Sequence, residues 1–142
     1  MSFTGWQAEG YRAMELKILV IDDSERTRGI IRAIARSREW TICDEATSGQ
    51  EGLAKFITEK PDVVLVDLAM PDLNGFEVAR RMSSVDSKIP IVLFTVLDIA
   101  GLEKKASSAG ITAVVSKAQA WDLVRVIENV IGSVKGPDAV SH

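Results

Sequence analysis

Histidine and cysteine, the side chains most often recruited as nucleophiles, bases and metal ligands, are nearly missing from this chain. Each occurs once in 142 residues. The histidine is His142, the last residue, so a histidine-based catalytic triad and a histidine-rich metal site are both excluded. The cysteine, Cys43, has no partner for an internal disulfide and fits a reducing compartment. It lies in the strand-like run WTIC and reads as a small buried residue rather than a reactive thiol. An excess of positive charge is missing too. Lys and Arg number 17 against 20 Asp and Glu, a formal net charge of −3, which argues against direct binding of nucleic acid. Arg26, Arg28, Arg32, Arg36 and Arg38 crowd one segment, where a solvated helix face is expected. No apolar run is long enough to span a bilayer, and MSFTGWQAEGYRAMELK lacks the apolar stretch of a signal peptide. A cytoplasmic protein without membrane insertion is expected.

What is present reads as one globular domain. The chain is 46% hydrophobic and 26% charged, ordinary values that allow a substantial core. Apolar runs recur as LKILVI (16–21), WTIC (40–43), DVVLVDL (62–68), IPIVLFTV (89–96) and ITAVVS (111–116). All but the second are nearly continuous in Val, Ile and Leu, the pattern of strands covered on both faces. The second is shorter and more polar, as an edge strand would be. Helical spacing fills the intervals. Residues 24–37 open with Ser24 as N-cap and carry Ile30, Ile31 and Ile34. Residues 49–60 carry Leu53, Phe56 and Ile57, and residues 75–84 carry Phe76, Ala79 and Met82. Residues 119–134 carry Leu123, Val126, Ile127, Val130 and Ile131. Residues 99–109, with Gly101 and two serines, are the weakest helical candidate.

The order is a β-α unit repeated, which predicts a doubly wound three-layer α/β domain with a parallel sheet. It occupies residues 16–134. Residues 1–15, with Trp6 and Tyr11, read as an extension, and residues 135–142 as a turn-like tail.

Ligands of such folds bind beyond the carboxyl ends of the strands, where strand order reverses. Asp22-Asp23 follow the first run, Asp67 stands near the end of the third, Thr95 near the end of the fourth, and Lys117 follows the fifth. Singly, each has a bland reading. Aspartates before a helix cap it, threonine favours strands, and a lysine is usually solvated. Ser24 can cap the helix as well, which leaves at least one carboxylate without a structural task. Together they make a chemical site. Three carboxylates at adjacent strand ends raise one another's pKa unless a cation joins them. One lysine supplies part of that charge, and the remainder suits Mg²⁺. A carboxylate nucleophile beside a metal, a lysine and a hydroxyl can form an aspartyl-phosphate.

The motifs ILVIDDS (18–24), VDLAMPDLNG (66–75), LFT (93–95) and VSK (115–117) resemble, in that order, those of the CheY-like receiver domain of bacterial response regulators. The resemblance implies a flavodoxin-like five-stranded sheet of order 2-1-3-4-5. It implies a signalling phosphoacceptor of a two-component system rather than a metabolic enzyme. Asp67 would take a phosphoryl group from a sensor histidine kinase or a histidine phosphotransfer protein. Asp23, Asp67 and the Ala69 backbone carbonyl would ligate Mg²⁺, with Asp22 acting through water. Lys117 would pair with a phosphoryl oxygen, and Thr95 would move inward to it. Met70, Pro71 and Gly75 would shape the loop. The resemblance also implies a downstream protein target, which the sequence does not name, and a common pairing surface on the fourth and fifth helices for a homodimer. A stand-alone domain is expected.

Several positions depart from the family pattern. Ala118 follows Lys117 where a proline with a cis peptide bond is usual, so a trans bond is expected. Val114 replaces a common aromatic and has no ring to swing. Val96 replaces a smaller residue and is expected to narrow the approach to Asp67. Ala69 and Leu97 stand two residues beyond Asp67 and Thr95, and neither side chain can hold an attacking water. A long-lived phosphoryl group is expected. Two other readings compete. One is a receiver-like interaction module that works without phosphorylation. The other is a small phosphatase with an aspartate nucleophile, opposed by Ala69 where such enzymes carry a second aspartate.

Overall fold

The structure is a computed structural model and describes residues 15–140. Along the chain the elements are β1 (Lys17–Ile21), α1 (Glu25–Ser37), β2 (Thr41–Ala46), α2 (Gly49–Glu59), β3 (Val63–Val66), α3 (Gly75–Val85), β4 (Ile91–Thr95), α4 (Glu103–Ser108), β5 (Ala113–Ser116) and α5 (Asp122–Val140). The strands form one parallel sheet of order β2-β1-β3-β4-β5; the apolar runs predict the parallel sheet, and the order is the one the family resemblance implies. The extension predicted over residues 1–15 lies outside the described residues except for Glu15, which accepts a hydrogen bond from the Thr41 hydroxyl.

Alternation along each strand divides the core into two layers. Leu19, Ile21, Val64, Val66, Ile91 and Leu93 face the layer that holds Phe56 of α2, Phe76 and Met82 of α3, and Ala106 of α4. Ile18, Val20, Leu65, Val92 and Phe94 face Ile31 of α1 and Leu123, Ile127 and Val130 of α5. The central strands β1, β3 and β4 are buried on both faces, which is why their sequence runs are continuous rather than alternating. Ile30 and Ile57 fall just outside the buried stripes of their helices and are exposed.

The boundaries differ from expectation in three places. β2 runs on to Ala46, past the predicted end at Cys43, because Asp44 and Glu45 sit on an edge strand where ion pairs satisfy them. The weak fourth helix is a 3-10 turn at Ile99–Gly101 followed by a short α-helix. The backbone of α5 continues through Gly136 and Pro137 to Val140, where a turn-like tail is predicted. One lost N–H removes a single rung from a helical ladder without reversing the chain's direction.

Candidate functional site

Strand register assembles the polar cluster. Ile21 pairs with Val66, and the Asp67 N–H donates to the Ile21 carbonyl at 3.0 Å. Asp22 and Asp67 therefore leave neighbouring strands side by side. β1 and β3 are also the strands between which the chain reverses its direction of winding, the expected ligand position. Thr95 pairs with Ser116, so Lys117 leaves β5 one residue beyond the end of β4.

The carboxylates of Asp22, Asp23 and Asp67 offer oxygens within 4.8 Å of one another. Asp22 and Asp67 are buried and Asp23 is exposed. The Lys117 ammonium lies 2.9 Å from Asp22 Oδ2 and 3.4 Å from Asp67 Oδ2. Burial pushes the Asp67 carboxyl above its ordinary pKa, Asp22 pushes it further, and Lys117 opposes both. Three carboxylates facing one ammonium leave a surplus of negative charge. An oxygen-only donor set with that surplus and one solvent-facing member fits a hard divalent cation that keeps some of its waters.

The loops around the cluster are held from several sides. Ser24 caps α1 through its hydroxyl, which accepts the Thr27 N–H. Asp22 Oδ1 accepts the Ser24 N–H at 2.8 Å while Oδ2 faces Lys117. Asn74 caps α3. Gly75 is required by close approach, because a Cβ there would lie 2.6 Å from the Asp67 carbonyl oxygen. A side chain at residue 75 would thus push on the phosphoacceptor candidate's own peptide.

Thr95 is fully buried and its hydroxyl accepts the Leu97 N–H at 3.3 Å. Val96 and Leu97 follow it into solvent, and Ala69 is exposed beside Asp67. Val114 is half-buried against the layer of α2, α3 and α4. The Lys117–Ala118 bond is trans. The Ala118 N–H, which a proline would lack, donates to the Ser116 hydroxyl at 3.1 Å. Lys117 therefore reaches the carboxylates from a 3-10 turn at Lys117–Gln119.

Two supports escaped the sequence reading. Asp72, read as a turn residue, accepts the N–H groups of Gly49 and Gln50 at 2.9 Å each. It thereby ties the loop after β3 to the start of α2, and those bonds hold its carboxyl below the ordinary pKa. The arginines of residues 26–38 are also not simply a solvated face. Arg28 and Arg32 turn to Glu45 of β2, while Arg38 pairs with Glu128. Cys43 is half-buried, and burial pushes its thiol pKa up. Among the described residues no helix is long and apolar enough to cross a membrane.

The sequence profile of the response regulator receiver domain matches residues 18–128. The chain is 32% identical over 104 residues to the chemotaxis protein CheY of Halobacterium salinarum, covering 73% of this chain and 86% of that protein. It superposes on a LuxR-family two-component response regulator from Aurantimonas sp. SI85-9A1 with a TM-score of 0.79 and 28% identity, over 84% of this chain and 86% of the other. It also superposes on the CheX–CheY–BeF3–Mg²⁺ complex from Borrelia burgdorferi, with a TM-score of 0.74 and 25% identity, over 80% of this chain and 87% of the other. The chain spans 24% of one curated relative's length and 81% of another's.

Proposed function

The chain belongs to the response regulator receiver domain family, and on that footing we propose that Asp67 accepts a phosphoryl group in a Mg²⁺-dependent transfer. The donor class is a phosphohistidine on a sensor histidine kinase or a histidine phosphotransfer protein. An Asp67 oxygen attacks phosphorus, the P–N bond of the donor breaks, and the imidazole nitrogen recovers the electron pair and a proton. Asp23, Asp67 and the Ala69 carbonyl would hold Mg²⁺, with Asp22 through water, and the ion would neutralise charge on the phosphoryl oxygens.

The chain's own residues do the rest. Lys117 lies within reach of both Asp22 and Asp67, so it can follow charge as it moves from the carboxylate to the phosphoryl group. The phosphoryl group adds about −1.5 to −2 charges at one spot. The Thr95 hydroxyl, now occupied with Leu97 N–H, is the group that would turn to it. Releasing that bond loosens the exposed Val96–Leu97 segment, so the occupied and empty states present different surfaces. The output is binding of another protein, or onward transfer of the phosphoryl group. Because Val114 has no ring to swing, backbone shifts after β4 carry the change.

A single observation supports this reading most. A buried carboxylate with a raised pKa stands within 4.8 Å of two others and beside a lysine, at the switch point of the sheet. The test is incubation with Mg²⁺ and a small acyl-phosphate donor, followed by detection of a base-labile phosphoryl adduct. Labelling that disappears in Asp67→Asn supports the assignment. Absence of label with both the small donor and a panel of phosphorylated histidine phosphotransfer domains would favour an interaction module that works without phosphorylation.

A further inference from the structure

The acidic pair stands on a turn whose two successive peptides, before and after the Cα of Asp22, are each held by hydrogen bonding from outside the turn. Asp22 uses its backbone N–H toward the Ala46 carbonyl at 2.9 Å, an anchor on β2. Its carbonyl accepts the Arg28 guanidinium at 2.7 Å. The same guanidinium donates to Glu45 at 3.1 Å and to Glu25 at 2.6 Å. Arg28 is only 12% exposed in its side chain. Glu45 is in turn gripped by Arg32 through both carboxylate oxygens, at 2.6 and 2.8 Å.

The carbonyl of Asp22 belongs to the peptide that joins Asp22 to Asp23. A bond to that oxygen fixes the plane from which the Asp23 side chain springs. Asp23 is the exposed member of the cluster, so its aim depends strongly on the backbone that carries it. We propose that Arg28, braced on Glu45, is a positioning residue that holds the Asp22–Asp23 peptide so that Asp23 is presented to Mg²⁺. This rests on the reading of the acidic cluster as a Mg²⁺ site. Arg28 touches neither the reacting atoms nor the metal ligands' carboxylates.

Charge and geometry predict opposite signs here. If Arg28 acted through its charge, removing a cation beside the acidic cluster would tighten Mg²⁺ binding. A guanidinium paired with Glu25 and Glu45 carries little net field, so the geometric effect should win. Preorganised ligands bind because their ordering is complete before the ion arrives.

The experiment is calorimetric titration of Mg²⁺ into the full chain as wild type, Arg28→Met, Arg28→Lys, Glu45→Gln and Arg81→Met. Arg81 is paired with Glu77 on α3 and serves as the remote control. We expect the dissociation constant to rise by about tenfold in Arg28→Met and by less in Glu45→Gln and Arg28→Lys, with no change in Arg81→Met; tenfold is the size of one hydrogen bond's worth of ordering. The rate of labelling by an acyl-phosphate donor should recover at saturating Mg²⁺, raising the half-saturating concentration but not the limiting rate. Thermal melts identify any variant that fails to fold, and Glu45→Gln keeps the test open if Arg28→Met is one of them. Tighter or unchanged Mg²⁺ binding in folded variants overturns the inference alone. A wild type that binds no Mg²⁺ overturns both the inference and the metal site on which it rests.

Discussion

Lys117 Nζ lies 2.9 Å from Asp22 Oδ2, so the end of β5 reaches back over β4 and β3 to a carboxylate that leaves β1. Lys117 is the cation that the structure places against this acidic cluster. Replacing it with methionine should therefore separate two properties that usually change together. The surplus of negative charge grows, and Mg²⁺ binding should tighten by about tenfold. A unit charge at about 4 Å is worth about 4 kcal/mol at an effective dielectric near 20, and solvent at the open mouth reduces it. Phosphoryl transfer to Asp67 should meanwhile slow by about 10² or more, the usual cost of losing a preorganised charge partner. Titration of Mg²⁺ and single-turnover labelling of Lys117→Met measure the two effects. Weaker Mg²⁺ binding in the variant would show that Lys117 organises the carboxylates rather than competing for them.

Asp67 should impose a stability cost that depends on pH. Burial, with Asp22 adding to it, raises its folded pKa above the ordinary carboxylate range. Between the ordinary value and the raised one, the folded state binds more protons than the unfolded state. Stability from this group is thus greatest at low pH and falls as pH rises through that window. Asp67→Asn removes the cost without stranding Lys117, which keeps Asp22. The variant should melt higher than wild type at pH 7, and the gap should close as pH falls through the carboxylate range. Added Mg²⁺ should narrow the gap at pH 7, because it stabilises the wild-type cluster. Melting curves across pH in chelator and in Mg²⁺ give the answer, and a gap independent of both would contradict it.

Gly75 tests how tightly the loop after β3 is built. A Cβ at this position meets the Asp67 carbonyl oxygen at 2.6 Å, Leu93 Cδ1 at 3.0 Å and Leu68 Cα at 3.1 Å. Two of those neighbours are backbone, so the loop itself must give way. Gly75→Ala should cost about 1–3 kcal/mol of stability, as overpacking does elsewhere. Because the displaced atom belongs to Asp67, labelling should slow by more than in Gly101→Ala, where a Cβ meets nothing. Denaturant titration and labelling of both variants separate these effects.

The sheet and the cluster were legible in the sequence for one physical reason. Strands covered on both faces leave unbroken apolar runs, and a polar residue at the end of such a run stands out. Asp22, Asp23, Asp67, Thr95 and Lys117 were all visible on those terms. Arg28 and Glu45 were not. Their pairing crosses from a helix to an edge strand, and the apolar run that marks β2 stops before Glu45. Asp72 was visible only as a turn residue, because nothing local says that its carboxylate caps the next-door helix α2. The short α4 was recognised as weak from Gly101 and its serines, but its split into a 3-10 turn and six helical residues was not.

The lifetime of the phosphoryl group should be set by what the rim of the site cannot do. Hydrolysis needs a water aligned opposite the Asp67–phosphorus bond, and side chains near the mouth are the groups that could align it. Ala69 is exposed beside Asp67 and carries no polar atom beyond its backbone. Leu97 is 46% exposed on the other approach, and Val96 is 73% exposed next to it. An amide at residue 69 would reach that water without altering any proposed ligand, since the Ala69 contribution to Mg²⁺ is its carbonyl. Ala69→Asn should therefore speed loss of phosphate by about tenfold, the effect of one hydrogen bond of about 1.4 kcal/mol formed in the transition state. Its rate of acquiring the label should change little. The isosteric control is Ala69→Leu, which fills the same space without a donor and should leave the lifetime long. Following decay of labelled protein after removal of the donor measures all three. Equal decay in wild type and Ala69→Asn would move control of the lifetime away from the rim, to Lys117 and the strength of its hold on the phosphoryl oxygens.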